Sequence, residues 1–159
     1  MPTAHAMLHG DFATLPDLIA AHARERGAKP ALIDDGRTLD YSALDGVMDG
    51  VAAALHREGV RAGQAVAIVG RMSLDYAAAF LGALRAGCVP APIAPSATGD
   101  QIAAMVADCG APILFLDAAA AEAIAQLPLV RLVHALSSHR RRLPRRLRES
   151  GSRWRPRYP

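Results

Sequence analysis

Lysine is nearly missing from this chain: one, Lys29, among 159 residues. Phosphate-cradling loops pair glycines at fixed offsets with a nearby basic side chain. Neither GxxxxGK(S/T) nor GxGxxG occurs, and Gly70, after an apolar run, stands alone and reads as a turn. Lys29 sits in Ala28-Lys29-Pro30 and reads as a solvated surface residue. Cysteine is scarce too. Cys88 and Cys109 exclude a disulfide framework, and no CxxC or Cys/His spacing suggests zinc. Both fall on expected buried elements, where a thiol acts as a small hydrophobe. Aromatic residues make up only 4%, so a core must be built from Ala, Leu, Val and Ile. No uncharged run reaches 18 residues, and the longest, between Arg85 and Asp100, holds three prolines. That argues against a membrane span. The opening residues lack the basic and apolar regions of a secretory signal. The expected location is therefore the cytoplasm.

What is present is a chain of about one domain with 52% hydrophobic residues. Its net charge of +3 conceals a division. Residues 1–130 carry eight basic and fourteen acidic side chains, a net −6. Residues 131–159 carry ten Arg against one acid, Glu149, a net +9. The alkaline balance belongs to the end of the chain.

Local signals order the rest. Thr14-Leu15-Pro16-Asp17 predicts a capping box and a helix running to about Arg26, with Gly27 as its stop. Asp35-Gly36 between Ala31–Asp34 and Arg37–Tyr41 predicts a β-hairpin. Ser42 is expected to cap a second helix, on which Leu44, Val47, Met48, Val51 and Leu55 share one face before Gly59. Gly46 and Gly50, four apart on it, fit either a close backbone approach or plain solvent exposure. Ala65–Val69 is wholly apolar, as a parallel strand covered on both faces should be. Ser73 to Ala86 predicts a helix ending at Gly87, and Cys88-Val89 begins another strand. Thr98 opens a helix ending near Gly110, Pro112–Leu116 is a third strand, Ala118–Gln126 a helix, and Leu129–Val133 a fourth strand. The fold class is α/β, with βαβ units and a mostly parallel sheet. The pattern fails after about Ala135, where residues 135–159 hold nine Arg and three Leu. Such a segment is expected to be disordered.

No residue is assigned a catalytic, cofactor-binding or metal-binding role. His5, His9, His22, His56, His134 and His139 are scattered, and His5 and His9, four apart, lie in an unpatterned start. No serine or cysteine occupies a nucleophile elbow. The turn explains Asp34 and Asp35, and the dipole of a helix start explains Asp75.

Several segments in order resemble the N-terminal part of the adenylate-forming superfamily. Leu39-Asp40-Tyr41-Ser42-Ala43-Leu44 is similar to its L-T-Y-x-E-L motif, and Val60–Ile68 to its G-D-x-V-A-I strand. Leu84-Arg85-Ala86-Gly87-Cys88-Val89-Pro90 is similar to L-(K/R)-A-G-A-x-x-V-P, and Ala107–Phe115 to A-D-S-G-A-x-x-L-F. Asp45, Met72-Ser73 and Ala94–Gly99 depart from the pattern, leaving the subfamily and the acid open. The resemblance covers about residues 12–130 and implies a partial N-terminal subdomain of that ligase fold, most like acyl-CoA synthetases. It also implies a two-step reaction. A carboxylate attacks the α-phosphate of ATP, with Mg²⁺, to give an acyl-adenylate and pyrophosphate; a thiol, often coenzyme A, then takes the acyl group. The family's phosphate loop, ribose aspartate and late lysine match nothing in residues 1–159.

The leading expectation is therefore a truncated AMP-binding domain over 12–130, inactive alone, followed by an Arg-rich or frame-shifted tail over 131–159. A stand-alone α/β module binding a small ligand is the alternative. A nucleic-acid adaptor using Arg140–Arg142, Arg145-Arg146, Trp154 and Tyr158 is less favoured. Half a parallel sheet is also expected to leave an open edge and a bare apolar face, and hence a marginal, partly molten body.

Overall fold

A computed structural model describes residues 2–10 and 12–124 together with the backbone of 132–135. The chain runs α1 (Ala4–Leu8), α2 (Leu15–Arg26), β1 (Pro30–Asp34), β2 (Arg37–Asp40), α3 (Tyr41–Arg57) and β3 (Ala65–Val69). It continues through α4 (Leu74–Arg85), β4 (Val89–Ile93), α5 (Gly99–Cys109), β5 (Ile113–Leu116), α6 (Ala118–Ala123) and β6 (Leu132–Ala135). The end of the expected helix near Gln126, the strand start at Leu129 and the Arg-rich segment beyond Ala135 lie outside the described residues.

Helix α2 begins on the expected capping box: Asp17 N donates to Thr14 Oγ1 at 3.2 Å, and Thr14 N to Asp17 Oδ2 at 3.4 Å. It ends at Gly27 for another reason than a left-handed turn. Gly27 is right-handed (φ −51°), and a Cβ there would lie 2.1 Å from Ser42 Oγ. The glycine lets α2 close onto the start of α3, where Ser42 N donates to Gly27 O. Between these helices β1 and β2 form an antiparallel hairpin. Its turn residues, Asp35 (φ 43°) and Gly36 (φ 74°), both adopt the positive φ of a tight primed turn.

Two local expectations are corrected. Helix α3 starts one residue after Asp40, which is the N-cap through Ala43 N to Asp40 Oδ1 (2.7 Å), rather than at Ser42. The last residue of β2 thus doubles as a cap, so no loop intervenes. The N-terminal stretch, expected to be unpatterned, forms α1 because Ala4 buries itself and donates its N–H to Glu25 Oε1 of α2 at 2.8 Å. That contact is tertiary and leaves no local periodicity.

The main sheet has the order β4-β3-β5-β6, parallel throughout. The chain moves one way from β3 to β4, then back past β3 to β5. Right-handed crossovers in opposite directions put their helices on opposite faces. Val66, Ile68, Ile113 and Phe115 accordingly pack with Val51, Leu55, Ala79 and Ala83 of α3 and α4. Ala67, Val69, Leu114 and Leu116 pack with Ile102 and Val106 of α5 and Ala120, Ala121 and Ile124 around α6. A third cluster, Ile19, Leu44 and Met48, joins α2 to α3 beneath the hairpin. The expected bare apolar face is therefore absent among the described residues. Reversing the crossover direction after β4 covers both faces of even this short sheet.

Gly46 and Gly50 are both exposed, which selects the solvent-facing reading. The close approach involves a different glycine, Gly82 on α4, which lies against Val51 of α3.

Candidate functional site

In an open α/β sheet, ligands sit outside the carboxyl ends of the strands where the strand order reverses. Here that point lies between β3 and β5. Gly70, Arg71, Met72 and Ser73 leave β3, and Asp117 leaves β5. Gly70 is buried, while Arg71 and Met72 are exposed. Ser73 caps α4, its Oγ accepting from Tyr76 N at 3.1 Å. Asp75, in the first turn of α4, is the one buried charged side chain among the described residues.

Asp117 occupies the crevice itself. Its Oδ2 accepts from Arg71 N and its Oδ1 from Ala120 N, both at 2.8 Å, while its own N–H donates to Val69 O at 3.1 Å. One carboxylate thus ties the exit of β3 to the start of α6. It takes two backbone donors that an anionic ligand would otherwise use, and its charge opposes a second anion there. Asp117 was not singled out from sequence. The signal was present: an acid between an apolar strand and the run Ala118-Ala119-Ala120-Ala121 is an N-cap signature.

Beside the crevice, the β4–α5 connection opens a shallow groove of about 470 Å³ lined by Ala94, Ser96, Ala97, Gln101, Ala104 and Met105. Its lining carries no charge. Gln101 Oε1 is committed to Thr98 N (2.9 Å), completing the capping box that opens α5.

The other residues considered from sequence are dispersed. Lys29 is exposed ahead of β1, its backbone bonded to Arg26 O and Tyr41 N. Asp34 and Asp35 form the hairpin tip. His5 on α1 and His9 at its C-cap have ring centres 4.3 Å apart with the planes tilted by 45°, and a hydrogen bond joins His9 Nδ1 and His5 O. His22 packs its ring 4.9 Å from that of Tyr41. The His56 ring meets Ala86 O at 3.3 Å. Cys88 is buried, and burial raises its thiol pKa. Among the described residues no group of three His, Cys, Asp or Glu is arranged to hold a metal ion. His134 lies in β6, of which only the backbone is described, and His139 lies outside the described residues.

A motif arginine proves structural. Arg85 of α4 meets Asp45 and Asp49 of α3 and donates to Pro16 O at the start of α2. Burial alone would lower its pKa. The hydrogen bond and charge of Asp45, joined by Asp49, more than offset this and hold the guanidinium above its usual value. The cation is a clamp joining three helices.

These residues do not fit a nucleoside triphosphate. The switch-point crevice is closed by a carboxylate, the one lysine is remote, and no basic cluster converges among the described residues.

Comparison with known proteins places this geometry. A family model described as AMP-binding enzyme matches residues 19–156. The chain belongs to the AMP-binding enzyme family. It is 31% identical over 131 residues to the 4-hydroxybenzoate–CoA/benzoate–CoA ligase of Rhodopseudomonas palustris, covering 79% of this chain and 24% of that protein. It is 30% identical over 109 residues to the fatty acid–[acyl-carrier-protein] ligase ScoC of Streptomyces coeruleorubidus, covering 69% and 21%. The crystal structure of the anthranilate CoA ligase AuaEII in complex with anthranoyl-AMP superposes with a TM-score of 0.73 at 20% identity, covering 84% of this chain and 26% of that one. The fold is that of the adenylate-forming ligases, and the chain spans about a quarter or less of the length of these relatives. No helix among the described residues is long and apolar enough to cross a membrane.

Proposed function

We propose that residues 12–130 supply the structural N-terminal segment of an acid–thiol ligase of the acyl-CoA branch, and that this polypeptide by itself forms no acyl-adenylate. The observation that carries the reading is the crevice at the sheet's switch point. The Asp117 carboxylate accepts from the backbone N–H groups of Arg71 and Ala120 there, and no lysine stands within that part of the fold. In phosphate chemistry, positioned donors and Mg²⁺ supply most of the rate. In this reading ATP, Mg²⁺, a carboxylic acid and coenzyme A are handled by further segments of a longer ligase. This chain contributes packed helices and a sheet to hold them. In this reading the acceptor thiol is coenzyme A, as in the acyl-CoA branch of the family. The cell compartment proposed is the cytoplasm, and fatty-acid metabolism the setting.

The same proposal reads the Arg-rich stretch within 131–159 as the product of a changed reading frame, on composition alone. Both parts are tested by the DNA beyond the reading frame. A stretch encoding an S-G-T-T-G-x-P-K-G-like loop in another frame supports them; unrelated sequence there overturns the frame-change reading. Calorimetric titration of the purified chain with AMP, ATP and acyl-CoA tests the first part separately. No heat is expected, and saturable binding of ATP would favour the stand-alone module.

A further inference from the structure

We propose that Pro90 and Pro92 close the outer edge of the sheet against strand addition, making β4 a guarded edge. In a parallel strand the N–H and C=O of one residue point to the same side, and the next residue's point to the other. Val89 N donates to Gln64 O at 2.9 Å, so Val89 faces β3. Val89, Ala91 and Ile93, aligned with Ala65, Ala67 and Val69, therefore make the ladder with β3. The residues facing outward within β4 are Pro90 and Pro92. Neither has an N–H.

The outer edge consequently offers acceptors and no donors. A strand docking there could donate to the proline carbonyls, but its own inward carbonyls would find no partner. Each buried acceptor left unpaired opposes the docking. Other guards are absent from this strand: Val-Pro-Ala-Pro-Ile carries no charge, and no bulge interrupts its register with β3. Val89 is 55% exposed, so the side chains alone would favour self-association. The spacing of two puts both prolines on the one side where a lost donor costs the native ladder nothing.

The test compares the full chain with Pro90→Thr/Pro92→Thr by light scattering and amide hydrogen exchange. The inference predicts that the double variant gains mass with concentration relative to the parent. The new amides at positions 90 and 92 become protected as it does so. Adding Val89→Lys to that background should return the mass to that of the parent. A folded double variant with the parent's mass and unprotected amides at 90 and 92 would overturn the inference. Should the double substitution fail to fold, Pro92→Thr alone, at the exposed position, carries the same comparison. The experiment is independent of any ligase activity.

Discussion

Gly82 of α4 lies against Val51 of α3 so closely that a Cβ on Gly82 would stand 2.4 Å from the Val51 Cβ. That atom is fixed to the backbone, and no rotamer change moves it. Gly82→Ala must therefore push the two helices apart. Alanine would gain about 1 kcal/mol of helix propensity. Overpacking of this kind costs about 1–3 kcal/mol, and contact with a rigid atom places it at the upper end. A net loss of about 1–2 kcal/mol is expected, read as a lower urea midpoint. An unchanged midpoint would mean the helices are less tightly apposed.

The Arg85 clamp predicts a graded response. Asp45 and Asp49 are one turn apart on α3, and both lean on one guanidinium. Lysine keeps the charge but loses the fork, so Arg85→Lys should cost about 1 kcal/mol. Arg85→Ala should cost more, because the two carboxylates then repel each other. Asp49 is largely exposed, so salt should weaken its share. Denaturant melts at low and high ionic strength check both expectations.

Asp117 predicts an ordering of variants. Asp117→Ala removes the acceptors of Arg71 N and Ala120 N, and loss of such a cap costs about 0.5–2 kcal/mol. Asn retains one oxygen and presents an NH₂ to the other donor, so Asp117→Asn should fall between. Hydrogen exchange at the Arg71 and Ala120 amides should accelerate in both variants, more in the alanine one.

Cys88 predicts a pH dependence. Burial holds its thiol above the ordinary value of about 8.5. Below that value both folded and unfolded chains keep the proton. As pH rises past it, the unfolded chain loses its proton first, so stability falls with pH until the folded thiol also ionises. Cys88→Ala should remove that part of the slope. Alkylation at neutral pH should reach half-buried Cys109 before Cys88.

Much of the fold was legible because its signals are local. The Thr14 and Thr98 capping boxes, the Asp35-Gly36 turn and the apolar face from Leu44 to Leu55 depend on neighbours within a turn or two. What escaped depends on contacts across the chain. Helix α1 forms through Glu25, 21 residues away. Gly27 reads as helix punctuation, whereas its role is to admit Ser42, and Gly82, which no local signal marks, admits Val51. The covering of both sheet faces follows from strand order, which no local pattern encodes. At the site, the sequence carries no phosphate-loop motif, with Lys29 its one lysine and Gly70 isolated. That Asp117 fills the switch point was not legible, because its partner Arg71 lies 46 residues earlier.

The most direct measurement is ATP–pyrophosphate exchange by the purified chain in the presence of Mg²⁺ and a panel of aryl and fatty carboxylic acids. The account predicts no label entering ATP above background with any acid. Acid-dependent incorporation would contradict it, because the residues on which this fold spends its donors would then have to activate a carboxylate unaided.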